Sequence, residues 1–316
     1  MTRSHNLRSS VYLSMTALIW GVAFVFQSKG NEFMQPLTFT ASRYLLGGLV
    51  LLPILFIKAK RPRFLADSDE ISVKNAPRQL TLIGGVLCGL VLASASVFQQ
   101  FGIKYTTIGK AGFITTLYII LTPIFGMFIG KKCGGRVWIG AAASVFGLYL
   151  LCITDGFSLA WGDILVLICA VLFTFHIMLI DRFAPQTNGI LLSCLQFFTA
   201  AVSCGIGALL FEQPDLSRFT EGLIPILYCG IMSSGAAYTL QILGQRGFNP
   251  TIAAMIMSME SVVSAVASYI AYAFGWLSTD QSMTALQILG CVIMFAAVIF
   301  VQLPVRSKAE RKTESS

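Results

Sequence analysis

Long apolar runs, separated by short polar segments, follow one another along almost the whole chain. Each run holds about 20 residues, the length that an α-helix needs to cross a hydrocarbon core about 30 Å thick. Glycine, proline and clusters of charged residues mark the boundaries between the runs. The pattern therefore predicts an all-α integral membrane protein with ten transmembrane helices. The predicted spans are 10–28, 36–57, 80–103, 108–130, 136–153, 161–180, 189–211, 222–244, 250–273 and 284–303.

The composition excludes a soluble protein. Hydrophobic residues make up 56% and charged residues 11% of the 316 residues, and the mean hydropathy is +0.77. Soluble domains carry about 25% charged residues. The spans leave no segment for a soluble catalytic domain, and no P-loop sequence for ATP binding occurs. They hold no paired acids, no nucleophile beside a base and no metal-ligand spacing, so neither an enzyme nor a metal or cofactor site is predicted.

The basic residues indicate the orientation of the spans. With the N-terminus in the cytoplasm, most of the 22 Lys and Arg residues fall on the cytoplasmic side, which is the positive-inside pattern. The exceptions are Lys29, Lys104, Lys110 and Arg218 on the outer side and Arg43 within a span. Both termini, including a tail at 306–316, are therefore predicted to be cytoplasmic in a multi-pass protein of the plasma (bacterial inner) membrane. Because the net charge of +8 is distributed by membrane side and forms no single patch, the expected partners are lipid and a small-molecule substrate, and not nucleic acid.

Two charged residues, Arg43 and Glu260, lie deep within predicted spans. A charged group at the bilayer centre costs about 2.5–3.5 kcal/mol on insertion scales, so it generally faces a partner or a water-filled cavity. At about 1.5 Å per residue, Glu260 lies about 14 Å from the cytoplasmic end of its span and Arg43 about 10 Å from the outer end of its own. The depths then differ by about 6 Å, which leaves a salt bridge geometrically open. The pair indicates a polar site inside a helix bundle, and hence a carrier.

An internal repeat relates the two halves of the chain. Shifting the sequence by 142 residues aligns 102–130 with 244–272 without a gap, and makes Tyr118 the repeat mate of Glu260. Because each half holds five spans, an odd number, the second half is predicted to be inverted relative to the first, with repeats at 1–154 and 155–305. In transporters with inverted repeats the substrate site lies near the bilayer midplane, between the halves.

Five stretches of the sequence carry a family pattern. They read TALIWGVAFVFQSKG at 16–30, RYLLGGLVLLP at 43–53, GIKYTTIGKAGFITTLYIILTPIF at 102–125, GDILVLICAVLFTFHIMLIDRF at 162–183 and AYTLQILGQRGFNPTIAAMIMSMESVVSAVASYI at 237–270. Together with the span count, they resemble the ten-span EamA-type branch of the drug/metabolite transporter superfamily. The resemblance implies a five-plus-five helix bundle around a central pathway and, commonly, export of amino acids or other small metabolites.

The ninth span departs from this family pattern. Such spans often read Leu-Glu-Pro-Val, whereas the sequence here is Met259-Glu260-Ser261-Val262. The carboxylate is kept, but the proline that favours a helix kink is missing, so no bend is predicted at this point. In the repeat-related fourth span, Pro123 is the residue that predicts a bend.

Nine residues are candidates for the substrate pathway, and each has a plainer structural alternative. Glu260 either binds a cationic group or carries a proton, or it holds the bundle together through Arg43. Arg43 either binds a carboxylate or snorkels to the nearby membrane edge. His176, the lone histidine within a span, either titrates near neutral pH or packs against a hydroxyl. The other candidates, with pathway or packing roles, are Trp20, Gln99, Gln100, Tyr118, Tyr238 and Gln241.

The leading hypothesis is a secondary transporter, an exporter or facilitator of small metabolites such as amino acids. The alternatives are a nucleotide-sugar or sugar-phosphate carrier, which needs several basic residues on the pathway, and a non-transporting membrane sensor or structural protein. Desolvation favours the neutral form of Glu260, whereas a nearby Arg43 favours the ionised form. A neutral carboxyl would allow proton exchange, and an ionised one a facilitator. Because only one acid is buried, the sequence favours the facilitator.

Overall fold

Helices are the regular elements throughout the part of the chain that the structure describes. A computed structural model describes residues 3–60, 77–131, 134–152, 160–277 and 284–302, and these ranges contain no strand. The predicted boundary between residues 154 and 155 and the predicted tail 306–316 lie outside the described residues. The helices are α1 (Arg3–Phe33), α2 (Pro36–Lys60), α3 (Arg78–Tyr105), α4 (Ile108–Thr115), α5 (Tyr118–Phe128), α6 (Gly135–Cys152), α7 (Trp161–Phe183), α8 (Gly189–Phe211), α9 (Leu223–Leu227), a π-helix (Tyr228–Tyr238), α10 (Thr239–Gln245), α11 (Pro250–Met257), α12 (Glu260–Ala273) and α13 (Ala285–Gln302).

Eight helical stretches in the described residues are long and apolar enough to cross a membrane. Four of them combine consecutive helices: α4 with α5, α7 with the 3-10 helix Ala184–Gln186, α9 with the π-helix and α10, and α11 with α12. The predicted fifth and tenth spans correspond to helices α6 and α13, which pack closely against each other. The described part of α13 contributes a shorter apolar stretch, Ala285–Val301. The structure therefore describes a multi-pass, all-α membrane protein.

The contacts between helices match when the two halves are exchanged. Helix α1 packs against α12, and its counterpart α7 packs against α5, the counterpart of α12. Helix α3 packs against α7 and α8, just as its counterpart, the stretch from α9 to α10, packs against α1 and α2. Two pairs of counterparts, α2 with α8 and α6 with α13, pack against each other. The bundle is therefore built from two related halves that face each other around a common centre.

Glycines bring some of these helices into close contact. A Cβ atom placed on Gly85 would lie 2.4 Å from Leu195 Cβ, and one on Gly89 would lie 2.5 Å from Thr199 Cβ. The spacing of Gly85 and Gly89 therefore serves close packing of α3 on α8, as such spacing does in membrane bundles.

The same spacing at Gly126 and Gly130 serves a different purpose. Helix α5 ends at Phe128, and Gly130 adopts a φ of +77°, which L side chains rarely take. Lys131 N–H donates to Gly126 C=O at 2.9 Å, closing the end of the helix. Gly130 thus ends α5, as glycine commonly does at a helix C-terminus.

Candidate functional site

Two spans are interrupted at repeat-related positions near the centre of the bundle. Helix α4 ends in a tight turn at Thr116, and helix α11 ends in the same way at Ser258, the repeat mate of Thr116. In both turns a backbone N–H bonds three residues back: Leu117 to Ile114 C=O at 3.2 Å and Met259 to Ile256 C=O at 3.3 Å. The next helices, α5 and α12, begin at Tyr118 and Glu260. The repeat mates Tyr118 and Glu260 therefore both lie immediately after a helix break.

Hydroxyl groups, and not prolines, accompany these breaks. Thr116 Oγ1–H donates to Phe113 C=O at 2.8 Å, and Ser258 Oγ–H donates to Met255 C=O at 2.7 Å. Such hydrogen bonds to the preceding turn compete with the helical ladder and often bend helices. The ninth span is thus broken without a proline, whereas Pro123 lies inside the continuous helix α5. The interruption of the fourth span therefore lies at Thr116 and Leu117, before the helix that contains Pro123.

The two breaks open onto a central cavity between the halves. In the state described, the space that water-sized spheres can occupy there is about 30 Å³, enough for one or two water molecules, so a solute can enter only when the bundle opens. Seven of the residues that line it are the sequence candidates Trp20, Arg43, Gln99, Tyr118, Tyr238, Gln241 and Glu260. The other lining residues are Ala23, Phe24, Gln27, Thr115, Phe173, Ile177 and Ser233. The cavity is thus lined by aromatic and aliphatic groups together with about as many polar side chains.

Glu260 and Tyr118 meet at one wall of this cavity. Both side chains are buried, and Tyr118 Oη–H donates to Glu260 Oε1 at 2.9 Å. This is the hydrogen bond that the structure gives for the carboxyl, and no salt bridge reaches Glu260 in the described residues. Much of the hydrogen-bonding capacity of the carboxyl group is therefore left for a group that enters the cavity.

Arg43 faces the same cavity and is almost completely buried, with 1% of its surface exposed. Its Nη1 donates to Gln27 Oε1 at 3.1 Å and its Nη2 to Tyr44 Oη at 3.2 Å. The guanidinium carbon lies 4.8 Å from the centre of the Tyr44 ring, and Nε has no hydrogen-bond partner. Within the described ranges no carboxylate forms a salt bridge with Arg43. The salt bridge with Glu260 that the span depths left open is not formed.

The polar candidates around the cavity are also related by the repeat. Gln99 and Gln241 are repeat mates and both line the cavity; Gln99 Nε2 donates to Thr115 Oγ1 at 3.3 Å, whereas Gln241 Oε1 has no partner. Trp20 lies beside Tyr238, with 4.6 Å between ring centres, and donates from Nε1 to Ser233 C=O at 3.3 Å. Amide and aromatic groups from both halves thus share one chamber.

His176 and Gln100 lie outside the lining of the cavity. His176 is buried against Tyr238, and its Nε2 is 3.1 Å from Gln196 Oε1. Gln100 Nε2 donates to Gln27 C=O and to Asn31 Oδ1, both at 2.9 Å. The two candidates therefore belong to hydrogen-bonded clusters beside the cavity.

The pair His176–Gln196 is the counterpart of the pair Gln27–Arg43. Gln27 and His176 each follow, by three residues, a phenylalanine that lines the cavity, Phe24 and Phe173. Arg43 comes directly before Tyr44, and Gln196 comes directly before Phe197. The rings of Tyr44 and Phe197 stack on each other with 5.9 Å between their centres. The two halves therefore hold equivalent polar pairs, and a cation is built into the first half alone.

The π-helix Tyr228–Tyr238 contains one residue more than the matching part of α3. A Cβ on Gly230 would lie 2.6 Å from Leu46, as one on Gly89 would lie 2.5 Å from Thr199. Leu46 lies two residues after Tyr44, and Thr199 lies two residues after Phe197, so these two contact residues occupy equivalent positions in the two halves. The glycines that pack on them, Gly230 and Gly89, are therefore equivalent as well.

Ten positions separate Gly89 from Gln99, whereas eleven separate Gly230 from Gln241. The wider π turns absorb this extra residue, as π-bulges at functional sites commonly do. The insertion keeps Gln241 directed into the cavity while Gly230 stays packed on α2.

Several residues that line the cavity or lie beside it were missed by sequence reasoning. Gln27 and Gln196 are amides within predicted spans, and this polarity was the signal that could have identified them. Phe24, Phe173 and Ile177 are ordinary apolar residues of spans, and nothing in the sequence distinguishes them from residues that face lipid.

The comparison with known protein families gives two matches along this chain. A model of the EamA-like transporter family matches residues 8–153 and again residues 160–303. The family domain is therefore present twice, in agreement with the two related halves of the bundle. The chain belongs to the EamA-like transporter family.

Individual relatives and a solved structure agree with this assignment. An uncharacterized transporter of Archaeoglobus fulgidus is 27% identical over 95% of this chain and 87% of the relative. The uncharacterized transporter YoaV of Bacillus subtilis is 21% identical over 89% of this chain and 92% of its own. The uncharacterized inner membrane transporter YedA of Escherichia coli is 22% identical over 78% of this chain and 77% of its own. A crystal structure at 17% identity superposes with a TM-score of 0.69 over 99% of this chain and 100% of the other, and so has the same fold.

Proposed function

We propose that this protein is a secondary transporter that moves small zwitterionic metabolites, such as amino acids, through the central cavity. The observation that carries the proposal is the arrangement of two opposite charges. Arg43 and Glu260 face one cavity without forming a salt bridge with each other. A charged group within a membrane bundle costs several kcal/mol unless it is paired, so each charge favours a solute that brings the missing partner.

The chemistry of the two charges selects the class of solute. A guanidinium binds a carboxylate through two parallel hydrogen bonds, and a carboxylate binds an ammonium group. A molecule that carries both groups satisfies Arg43 and Glu260 together. The amides Gln99 and Gln241 and the rings Trp20 and Tyr238 are positioned to hold the rest of the solute. An α-amino acid is the smallest common metabolite of this kind.

A nucleotide-sugar or sugar-phosphate carrier is the second candidate function. Its substrates bear several negative charges and would require several cations on the pathway. Arg43 is the single Lys or Arg among the residues that line the cavity, and Glu260 would repel such a substrate. The geometry therefore favours a zwitterion. A non-transporting sensor or structural role is the alternative of another class.

Passage of the solute is proposed to follow the two helix breaks. In transporters with inverted repeats, interrupted helices line a midplane site and the halves rock around it. The breaks at Thr116 and Ser258 lie at equivalent points of the two halves. They come just before Tyr118 and Glu260, whose side chains are joined by a hydrogen bond. A solute that draws Glu260 away from Tyr118 would loosen both broken spans at once.

The decisive experiment measures exchange in proteoliposomes that contain the purified protein. Vesicles loaded with unlabelled amino acids are placed in a ¹⁴C-labelled amino-acid mixture, and we expect transient uptake above that of protein-free vesicles. Exchange of nucleotide sugars without exchange of amino acids would support the second candidate. Absence of exchange for both classes, in protein that is folded by size-exclusion chromatography, would contradict a transporter.

We further propose that transport is facilitated diffusion, because one acid is buried in the cavity and no second acid lines it to relay a proton. With equal solute on both sides, an imposed pH gradient is then expected to drive no net accumulation. Accumulation in the parent that disappears in Glu260→Gln would instead establish proton exchange through this carboxyl.

The ten-span, inverted arrangement is proposed with both termini in the cytoplasm. It rests on the positive-inside pattern and on α6 and α13 serving as the fifth and tenth spans. A reporter active only in the periplasm is expected to stay silent when fused after Ser316, whereas a cytoplasm-active reporter works there. Fusion after Gly275, beyond the ninth span, should give the opposite result. A periplasmic signal after Ser316 would refute the ten-span count.

A further inference from the structure

A second polar pocket lies at the end of the bundle where α1 and α3 finish and α2 begins, the outer end in the proposed topology. The space that water-sized spheres can occupy in it is about 270 Å³. Its lining combines positively and negatively charged side chains with amide and hydroxyl groups, and it is separate from the central cavity. The residues that carry the inference are Asn31, Glu32, Lys104, Asp215 and Arg218.

Two of the four charges in this pocket are engaged by neighbours. Glu32 Oε2 lies 3.0 Å from Lys29 Nζ, and Arg218 Nε lies 3.9 Å from Glu221 Oε2. Lys104 and Asp215, by contrast, form no salt bridge within the described residues. The contact that the structure gives for Lys104 Nζ is with the ring of Tyr105, at 5.9 Å. Lys104 and Asp215 therefore face the pocket without a salt bridge, while the positive charge of Arg218 also acts on Asp215.

Asp215 is held in its ionised form. The Ser217 hydroxyl donates to Asp215 Oδ1 at 2.6 Å and the Ser217 N–H donates to the same atom at 2.9 Å. These hydrogen bonds stabilise the carboxylate and lower the pKa of Asp215. The anion of the pocket is thus present at neutral pH.

A chain of buried amides connects this pocket to Arg43 in the central cavity. Asn31 lines the pocket, and its Nδ2 donates to Gln100 C=O at 3.2 Å while its Oδ1 accepts from Gln100 Nε2 at 2.9 Å. Gln100 Nε2 also donates to Gln27 C=O, and Gln27 Oε1 accepts from Arg43. Gln100 is fully buried, and its Oε1 has no partner.

Leaving a buried amide oxygen without a hydrogen bond is unfavourable, so packing alone does not explain this chain. Polar groups between two cavities are instead suited to a passage that admits water or solute when it opens. The amide chain then separates the outer pocket from the central cavity in the state described here.

We propose that the outer pocket is a second binding station for the zwitterionic solute, with Lys104 receiving its carboxylate and Asp215 its ammonium group. The inference rests on the proposed function, since the pocket repeats the charge pattern of the central cavity. In both places a basic and an acidic side chain face the same space without forming a salt bridge with each other. A solute would pass between the stations through the amides Gln27, Gln100 and Asn31.

Sided exchange kinetics test the station. In proteoliposomes of one orientation, Lys104→Gln and Asp215→Asn are each expected to raise the half-saturation concentration on the outer side about fivefold, the upper limit for a solvent-exposed charge pair. Half-saturation on the inner side should stay that of the parent. Lys110→Gln is the matched control, because it removes one positive charge from the same end of the bundle without lining the pocket. If both pocket variants have the same half-saturation concentration on the outer side as the parent, the proposal is overturned.

Equilibrium dialysis in detergent keeps the two proposals distinguishable. With the ¹⁴C-labelled amino acid that exchanges fastest, the parent is expected to bind two equivalents and Glu260→Gln one, whereas Lys104→Gln should bind two, one of them about fivefold more weakly than in the parent. If exchange occurs and Lys104→Gln binds both equivalents with the parental affinities, the outer station is refuted and the transporter stands. If the parent shows binding that Lys104→Gln weakens but no exchange, the transporter fails and the pocket stands. Absence of both binding and exchange for the amino-acid mixture refutes both.

Discussion

Glu260→Gln is expected to reduce amino-acid exchange at least 100-fold while the protein still folds. Removing one partner of a buried, hydrogen-bonded charge pair costs about 3–5 kcal/mol, which corresponds to a loss of affinity of about 10²- to 4 × 10³-fold. Glutamine has nearly the same shape, and its amide oxygen accepts the hydrogen bond from Tyr118 that the carboxylate accepts now. The substitution therefore removes the charge and keeps the local packing. The measurement is counterflow of the labelled amino-acid mixture in proteoliposomes.

The control for this experiment is Glu221→Gln, which removes an exposed acid outside the cavity and should exchange like the parent. Size-exclusion profiles and melting temperatures in detergent establish that both variants are folded. If folded Glu260→Gln exchanges solute at the parental rate, the carboxylate serves the structure alone and the proposed binding role is refuted. A loss confined to solutes with an amine, with other solutes still exchanged, would give the strongest support.

The membrane character of the chain was readable from the sequence because hydrocarbon imposes a simple rule on composition. A span must be apolar over about 20 residues, and a charge inside it must serve a purpose. This rule located the helical stretches and also selected Arg43 and Glu260, which the structure places in one cavity. The internal repeat added Tyr118, since its alignment with Glu260 implied equivalent depth. The structure joins these two repeat mates by a hydrogen bond.

The helix breaks could not be predicted in the same way, because the sequence reasoning looked for proline. The breaks at Thr116 and Ser258 depend on single hydroxyl groups that bond to the preceding turn. Thr and Ser are common within apolar helices, and many of them leave the helix intact. Only their positions next to Tyr118 and Glu260, in both repeats, distinguish these two. Comparison of the two halves was therefore the signal that was not used.

The partners of the charged residues also required the structure. Span depth left a salt bridge between Arg43 and Glu260 open, but depth does not fix the direction of a side chain around its helix. Arg43 instead reaches Gln27 and Tyr44, while Glu260 reaches Tyr118. The extra residue in the π-helix was equally hidden, since the gapless repeat alignment began at Gly102 and Gly244, beyond the insertion.

Arg43→Met is expected to reduce exchange of amino acids at least 100-fold. The reason parallels that for Glu260, with the solute carboxylate in place of the ammonium group. Methionine fills much of the space of the arginine stem, and replacement of a buried charge by an apolar residue is often tolerated in folding. The variant loses the group that we propose binds the solute carboxylate. Amines that lack a carboxylate should therefore be affected much less than amino acids. Competition of such amines against labelled amino-acid exchange measures this difference.

Arg43→Lys separates a binding role from a structural one. Lysine keeps the positive charge but lacks the planar fork that matches a carboxylate, so exchange is expected to fall about tenfold, between the parent and Arg43→Met. If Arg43 serves only to hold Gln27 and Tyr44, both variants should lower the melting temperature and weaken all solutes equally. That outcome would refute carboxylate binding by Arg43. A graded loss restricted to solutes with a carboxylate, at unchanged melting temperature, would assign the guanidinium to the solute, because a structural contact does not distinguish one solute from another.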